Sequence, residues 1–199
     1  MNKLLHIGCS HNRISSTTKG FNDGSWEEIR LDIDESVHPD IVGTMTDMAL
    51  VMDKSVDAIF SSHNIEHLYA HEVPRALLEF QRVLKDDGFL VITCPDLKSV
   101  CELVGQDKLT ETAYVSPAGP IAPLDILYGH RESMTKGNLY MAHRCGFTEK
   151  VLCATLTANG FVSVASISRP QVFDLWAIAF KKHIPDEELK SIAMRHFPI

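Results

Sequence analysis

Short apolar runs alternate along the chain with segments whose apolar residues recur at helical spacing. Residues 56–61 and 88–94 form the clearest runs, and the second is apolar on both faces, as a central strand of a parallel sheet requires. Between them, a stripe of apolar positions predicts a helix over residues 73–84, closed by Lys85-Asp86-Asp87-Gly88. This order predicts a parallel sheet covered by helices. Further strands are predicted at residues 4–9 and 28–33, with a weaker one at 41–45.

The second half of the chain predicts more helices and a terminal hairpin. Residues 96–109 predict an amphipathic helix, whereas the proline- and glycine-containing residues 110–137 are expected to be irregular and to lie over one end of the sheet. Another helix is expected between an N-cap at Thr148 and a stop at Asn159-Gly160. The last predicted elements are an antiparallel hairpin of strands at residues 161–168 and 173–181 and a polar tail helix at residues 185–196.

Length and composition narrow the class of protein. A chain of 199 residues with 45% apolar and 23% charged residues predicts one folded globular domain. Asp and Glu outnumber Lys and Arg by 26 to 19, and the net charge of −7 disfavours nucleic acid and membranes as partners and favours a small molecule. The five cysteines include no C-x-x-C pair, which is typical of the reducing cytoplasm. No segment resembles a membrane span, and the sequence does not indicate an oligomeric state.

Residues with chemical potential follow the first two predicted strands. In an open parallel sheet, ligands bind beyond the carboxyl ends of the strands. Gly8, Cys9 and Ser10 are small enough to let backbone N–H groups approach a carboxylate or phosphate, although they also fit an ordinary turn. After the second strand, Asp32 and Asp34 could accept hydrogen bonds from the hydroxyls of a ribose, although Asp34 and Ser36 could also simply start a turn.

The most unusual segment follows the fourth predicted strand, where residues 61–68 read Ser-Ser-His-Asn-Ile-Glu-His-Leu. If a helix begins here, His63, Glu66 and His67 share one face at spacings i, i+3 and i+4. Two imidazoles and a carboxylate so placed fit a divalent metal site or an acid–base pair. The alternative is a helix start capped by Ser62, with the histidines packed or in solvent.

These segments resemble the class I S-adenosylmethionine-dependent methyltransferases, in particular the small type-11 group. The resemblance rests on residues 4–10 as the first cofactor motif, residues 31–34 after the second strand, and residues 56–67 in and after the fourth strand. Residues 82–92 are similar to the family's segment leading into the fifth strand, and the likeness spans about residues 4–181. It implies an α/β fold with a doubly wound, Rossmann-like sheet, mostly parallel with an antiparallel last strand, and helices on both faces.

The resemblance also implies S-adenosylmethionine as cofactor and gives individual residues a role in binding it. Gly8, Cys9 and Ser10 would contact the methionine moiety, and Asp32 would bind the ribose hydroxyls. The remaining contacts are Ile33, Thr44 and Met45 near the adenine, and Ser61, Ser62 and His63 beside the methionine and the sulfonium.

Two departures from the family pattern concern the first motif and the third strand. The usual G-x-G-x-G is Gly8-Cys9-Ser10-His11-Asn12 here, and residues 10–26 leave room only for a shortened first helix or a loop. Thr44 stands where an aspartate is common in the family. We therefore expect either a reduced cofactor affinity or compensation by other parts of the backbone.

Some related methyltransferases, the small-RNA 2′-O type and the ubiquinone-pathway O type, carry a Glu-x-x-Glu-His metal segment after the fourth strand. Here His63 stands in place of the first glutamate, and His143 lies where the small-RNA enzymes supply a further histidine. The resemblance thus allows a divalent metal at His63, Glu66, His67 and His143 that binds substrate hydroxyls and lowers their pKa. His143 could instead only pack or contact substrate.

The leading hypothesis is methyl transfer to an oxygen, or less favourably a nitrogen, of a small-molecule acceptor. This in-line displacement requires alignment and, for a hydroxyl, a base, for which His63, His143 and His130 are the candidates. Within a single domain of residues 1–199, an insertion at residues 110–147 would form the acceptor pocket and lid, and residues 185–199 a tail helix.

The acceptor would be bound by side chains of the insertion. The candidates are Tyr128, His130, Arg131 and Met141. Arg131 either binds an acidic group of the substrate or pairs with Glu132 or Asp125.

Two other functions remain open. Residues 63–67 match the H-x-x-E-H pattern of metal-dependent hydrolases, although that motif belongs within a long helix. The incomplete glycine motif also fits a protein that binds the cofactor without catalysis. Binding of S-adenosylmethionine and dependence on metal would separate these functions.

Overall fold

The computed structural model describes residues 1–198, and seven of the nine strands in this range form one sheet in the order β3-β2-β1-β4-β5-β9-β8. The first five strands in sequence are parallel, whereas β9 is antiparallel to both β5 and β8. The order reverses between β1 and β4, which makes the gap beyond these two strands the topological switch point. The strands of this sheet are β1 (Asn2–Ile7), β2 (Trp26–Asp32), β3 (Ile41–Val42), β4 (Val56–Ser62), β5 (Leu84–Pro95), β8 (Ser163–Arg169) and β9 (Asp174–Phe180).

Helices cover both faces of the sheet. On one face, α1 and α5 pack their apolar sides on a core that includes Leu5, Ile59 and Leu90. On the other face, α6 packs with Phe21 over alternate residues of the same strands, such as Leu4 and Phe60. The helices are α1 (Val73–Val83), α2 (Leu97–Val104), α3 (Pro123–Tyr128), α4 (Arg131–Thr135), α5 (Glu149–Ala158) and α6 (Asp186–His196). The doubly wound α/β fold with an antiparallel last strand is therefore confirmed.

The connection between β1 and β2 is a loop rather than an α-helix. Its one helical turn is a 3-10 turn at Ile14–Ser16. The end of α6 holds this loop against the sheet, because the Gly20 N–H donates to the Arg195 carbonyl oxygen and the Thr18 hydroxyl is 2.7 Å from Nδ1 of His196. The predicted tail helix therefore docks, and it covers the face that a first helix would otherwise cover.

Two predictions for local structure are wrong. The segment at residues 85–88 does not close α1; the helix ends at Val83, and β5 begins at Leu84 because that residue pairs with Val56 on β4. A Cβ atom at Gly88 would lie 3.0 Å from the Asp57 carbonyl oxygen, so this glycine allows close strand approach.

Residues 110–137 are also more regular than predicted. They include a small hairpin of β6 (Tyr114–Ser116) and β7 (Gly119–Ile121), followed by α3 and α4. Ile126 of α3 packs against Val100 of α2, which ties this segment to the rest of the fold. In residues 1–198, every helix is too short or too polar to cross a lipid bilayer.

Candidate active site

A cavity of about 450 Å³ lies beyond the carboxyl ends of β1, β2 and β4, at the switch point of the sheet. Loop residues after each of these strands form its walls, and Asn138, Tyr140, Met141 and Arg144 line its rim. Gly8 and Asp32 both line it, so the small-residue turn and the carboxylate that the sequence singles out face a shared space. This is the position in which an open α/β sheet binds ligands.

The wall after β1 is a turn that needs a glycine. Gly8 has a φ of +63°, and a Cβ atom there would lie 1.9 Å from Oδ1 of Asn64. The Asn64 amide lies against this turn because its Nδ2 donates to the carbonyl oxygens of Ile7 and Ser62, both at 2.9 Å. The side chain of Asn64 therefore joins the end of β1 to the end of β4.

The wall after β2 carries two carboxylates. Asp32 accepts hydrogen bonds from the N–H groups of Ser10 at 2.7 Å and Asp34 at 2.9 Å, so each of its oxygens holds a backbone amide. Asp34 is exposed to the cavity, and hydrogen bonds from Ser36 lower its pKa. Both residues remain able to accept further hydrogen bonds from hydroxyls, since each carboxylate oxygen has two lone pairs.

The adenine side of the predicted site also faces the cavity. Ile33, which is 47% exposed, and Thr44 and Met45 line it together. An exposed large apolar side chain in a cavity wall is suited to pack against a flat ring.

The segment after β4 differs from the predicted helix start. His63 adopts a left-handed φ of +54°, and the only helical turn that follows is the 3-10 turn at Ile65–His67, with Asn64 rather than Ser62 at its N-cap. The prediction that His63, Glu66 and His67 share one helix face is therefore wrong, because His63 has a left-handed conformation and precedes the helical turn. The side chains meet nonetheless, with Nδ1 of His63 3.4 Å from Oε1 of Glu66.

Glu66 is the most unusual side chain of the cluster. It is 1% exposed, and neither carboxylate oxygen accepts a hydrogen bond from any of residues 1–198. Ligand atoms of Glu66, His67 and His143 all lie within 4.8 Å of one another. Burial works to raise the pKa of Glu66, but the neighbouring His63 outweighs it and holds that pKa below its usual value.

Hydrogen bonds to backbone carbonyl groups hold the imidazole rings of His67 and His143 in one orientation. Nδ1 of His67 is 3.1 Å from the Ala142 carbonyl oxygen, and Nδ1 of His143 is 2.8 Å from that of Ile126. A carbonyl can only accept, so Nδ1 carries the proton and Nε2 is left with a free lone pair. Burial lowers the pKa of His143 and keeps its imidazole neutral.

Other predicted residues lie away from the cavity. Cys9 and Ser61 are fully buried behind its wall, and burial raises the pKa of the Cys9 thiol to about 11. In the insertion, Met141 lines the cavity, whereas Tyr128, His130 and Arg131 do not.

The side chains that lie outside the cavity have partners of their own. His130 Nδ1 is 2.7 Å from the Ser133 hydroxyl. Arg131 forms a bidentate pair with Asp125 at 2.7 and 3.0 Å and lowers the pKa of that carboxyl to about 2. The alternative that Arg131 is a structural partner of Asp125 is thus the one the structure shows.

Three functional candidates were missed by sequence reasoning. Asn64 braces the glycine turn, and Arg144, held over the Tyr69 ring at 4.8 Å, supplies the cation at the cavity rim. Arg30 is buried beside the cavity wall. Its charge within the apolar run Ile29-Arg30-Leu31 was the available signal, because an arginine in a buried strand needs internal partners.

Comparison with known proteins agrees with this geometry. Residues 5–92 match the family model described as a methyltransferase domain. The S-adenosylmethionine-dependent methyltransferase of Archaeoglobus fulgidus superposes with a TM-score of 0.56 at 16% identity, covering 89% of this chain and 85% of that one. Among curated protein sequences, none is significantly similar to this chain.

A second structure was solved with ligands. The 1,6-didemethyltoxoflavin-N1-methyltransferase of Burkholderia thailandensis, with bound 1,6-didemethyltoxoflavin and S-adenosylhomocysteine, has a TM-score of 0.56 at 15% identity and covers 91% of this chain and 71% of that one. Likeness at such identity establishes the fold, and the family match covers the strands and loops that form the cavity walls, although not the rim residues 138–144. The family match over residues 5–92 and the fold of the chain together support an S-adenosylmethionine-dependent methyltransferase similar to the type-11 group.

Proposed function

We propose that the cavity binds S-adenosylmethionine and that the enzyme transfers its methyl group to an oxygen of a small-molecule acceptor. The observation that carries this proposal is that His63 lines the cavity beside the buried carboxylate of Glu66, next to the wall expected to hold the sulfonium. In the reaction, the acceptor oxygen attacks the methyl carbon, the carbon–sulfur bond breaks, and S-adenosylhomocysteine leaves. The hydroxyl proton passes to His63.

A base favours oxygen over nitrogen as the acceptor atom. An alcohol or phenol must lose its proton during transfer, whereas a neutral amine attacks with its own lone pair and loses a proton afterwards. The cavity offers His63 for this task, and its imidazole is 48% exposed to solvent or substrate. A nitrogen acceptor is the alternative, supported by the N1-methyltransferase with a similar fold.

The size and charge of the cavity support a small acceptor. A volume of about 450 Å³ accommodates the cofactor with limited room beside it. Tyr140, Met141 and Arg144 at the rim would contact the acceptor, and residues 110–147 would serve as the lid of a single domain. Five cysteines without a disulfide favour the reducing cytoplasm as the compartment.

The residues at Glu66 also fit a divalent metal. A buried carboxylate without a hydrogen bond and two imidazoles whose Nε2 atoms carry free lone pairs form a ligand set of the type that binds such ions. Glu66, His67 and His143 would hold the ion, with His63 as a fourth candidate. When bound, the metal would supply a positive charge that lowers the pKa of a substrate hydroxyl.

The hydrolase and the non-catalytic binder have less support. Of the H-x-x-E-H residues, Glu66 and His67 lie on the 3-10 turn after β4 and His63 precedes it, whereas the hydrolase motif requires a long helix. A non-catalytic binder does not need an imidazole at the cavity surface beside a buried carboxylate.

Turnover of a methyl-labelled cofactor tests the methyl transfer. Purified protein is incubated with labelled S-adenosylmethionine and a panel of small alcohols, phenols and amines, and labelled product is quantified. We expect His63→Ala to lower turnover roughly 100-fold or more, while the Kd of S-adenosylhomocysteine changes little. His130→Ala is the matched control and should retain turnover. Equal activity of His63→Ala and the unaltered protein would remove His63 from the mechanism, and product on amines alone would make the acceptor a nitrogen.

Metal uptake is measured separately from turnover. The protein is dialysed against Mn²⁺ or Zn²⁺, and bound metal is determined by elemental analysis and calorimetry. We expect uptake by the unaltered protein and by the control His71→Ala, and loss of uptake in Glu66→Gln. Uptake that persists in Glu66→Gln would place the ion elsewhere, and no uptake by the unaltered protein would exclude the site.

A further inference from the structure

Arg30 on β2 is a buried cation bonded to the loops that form the cavity walls. Its guanidinium donates to four backbone carbonyl oxygens, those of Ser10, Asn12, Val37 and His38. The bond from Nη1 to the His38 oxygen is 2.8 Å, and those to Asn12 and Val37 are 3.3 Å. Two acceptors lie in the loop after β1 and two in the loop after β2, so one side chain joins the two loops.

Arg30 and Asp32 together fix both polar groups of Ser10. These residues are two positions apart on a strand and so point to the same face. Asp32 accepts from the Ser10 N–H at 2.7 Å, and Arg30 donates to the Ser10 carbonyl oxygen. Hydrogen bonds to charged groups are stronger than those between neutral groups, so this pair holds Ser10 firmly in place.

The residues held by Arg30 include two with unfavourable backbone conformations. Ser10 has a φ of +48° and His38 a φ of +50°, in the left-handed region that residues other than glycine rarely adopt. Such conformations persist only where the surrounding structure enforces them. The guanidinium bonds to the carbonyl groups of both residues and so enforces both conformations.

This support matters because the loop after β1 lacks the alternative support of a helix. The helical structure within residues 8–25 is limited to the 3-10 turn at Ile14–Ser16. In a strand-to-helix connection, the backbone bonds of the helix would fix the turn after the strand. Here the side chain of Arg30, on the neighbouring strand β2, holds the turn after β1 in place instead.

We propose that Arg30 is a positioning residue for the cofactor, taking the place of a first helix as the support of the cavity wall. It does not line the cavity, but it sets the positions of Ser10, Asn12 and Val37, which do. The proposal rests on S-adenosylmethionine binding in this cavity. Loss of the charge should therefore weaken cofactor binding without removing any cofactor contact.

Calorimetry with S-adenosylhomocysteine tests the proposal. The Kd is measured for the unaltered protein, Arg30→Met and Arg30→Lys, each at a temperature at which thermal denaturation shows the variant to be fully folded. We expect a Kd raised at least about tenfold in Arg30→Met and by an intermediate factor in Arg30→Lys, which keeps the charge but not the fork of donors.

The matched control is Arg82→Met. Arg82 also donates to two backbone carbonyl oxygens, those of Met48 and Val51, but neither of these residues lines the cavity. This variant should lose stability and keep its Kd. As a further readout, methylguanidinium should restore binding to Arg30→Ala, because it can fill the space that the side chain leaves, whereas it should not change the Kd of Arg82→Met.

The outcomes separate this proposal from the cofactor assignment. No binding by the unaltered protein would overturn the assignment of the cavity itself. Binding by the unaltered protein together with an unchanged Kd in Arg30→Met, or an equal rise in Arg82→Met, would overturn the role of Arg30 alone. If Arg30→Met does not fold, an unchanged Kd of S-adenosylhomocysteine in Arg30→Lys would likewise overturn the role of Arg30.

Discussion

The ends of β1 and β4 face the same cavity but differ in how their polar groups are bonded. After β1, charged side chains bind both the N–H and the carbonyl group of Ser10. After β4, the buried carboxylate of Glu66 has no hydrogen bond from residues 1–198. Hydrogen bonds within the protein already hold the backbone after β1 in position to receive a ligand. A buried carboxylate that accepts no hydrogen bond is instead stabilised most when a ligand or ion binds to it. This difference supports the proposal that the first region binds the cofactor and that the second transfers a proton or binds a metal.

The largest expected effect comes from placing a methyl group where the two regions touch. Gly8→Ala puts a Cβ atom 1.9 Å from Oδ1 of Asn64 at a φ of +63°. We expect a Kd of S-adenosylhomocysteine raised roughly 100-fold and a loss of about 3 kcal/mol in the free energy of unfolding, measured by calorimetry and urea denaturation.

The control for this change is Gly24→Ala. Gly24 has a φ of +82° but no heavy atom within 4 Å of the added Cβ. It should cost about 1 kcal/mol from its backbone conformation and leave the Kd unchanged. If Gly8→Ala behaves as Gly24→Ala does, the close contact with Asn64 does not shape the wall.

A smaller effect on the Kd is expected from removing the Asn64 side chain, whose hydrogen bonds join the end of β1 to the end of β4. Asn64→Ala leaves the carbonyl oxygens of Ile7 and Ser62 without this donor, which should lower the free energy of unfolding by about 2 kcal/mol. The Kd of S-adenosylhomocysteine should rise about tenfold, because the turn at Gly8 loses its brace. Asn22→Ala, at an exposed loop position, is the control and should change neither quantity. An unchanged Kd in Asn64→Ala would mean that the β1 wall is independent of β4.

The smallest effect concerns the support of the β1 loop by α6. Burial, with Arg195 nearby, lowers the pKa of His196 to about 4, so His196 is neutral in the folded protein. The unfolded chain binds this proton below a pH of about 6.5, so the stabilisation is complete above that pH and is lost as the pH falls towards 4. Between pH 7 and pH 5 the loss from this group should be at most about 2 kcal/mol.

Urea denaturation at pH 7 and pH 5 measures this loss. His196→Gln should show a smaller difference between the two pH values than the unaltered protein, since the remaining groups titrate equally in both. The exposed His183→Gln should behave as the unaltered protein does. If the free energy of unfolding of all three proteins depends equally on pH, the neutral imidazole of His196 does not stabilise the contact between α6 and the β1 loop.

The spacing of apolar residues along the chain is enough to predict the sheet, most helices and the position of the cavity. Buried strands are continuous apolar runs, amphipathic helices have a 3.6-residue repeat, and ligands bind at strand ends, so local signals sufficed for β4, β5 and α1. The same rules brought Asp32, Thr44 and His63 to one cavity, as their positions after successive strands predicted.

Which side chains are hydrogen-bonded and which face the cavity follows from contacts between distant parts of the folded chain. Arg131 pairs with Asp125 while Arg144 reaches the cavity, and sequence spacing cannot distinguish two arginines of one insertion. His63, in a left-handed conformation, lies beside Glu66, and His143 reaches Glu66 from a distant loop, so the three do not share one helix face. Arg30 acquires its role from carbonyl groups of two loops, which no local pattern encodes. Such partners are set by packing between distant segments, and for this reason they appear only in the folded chain.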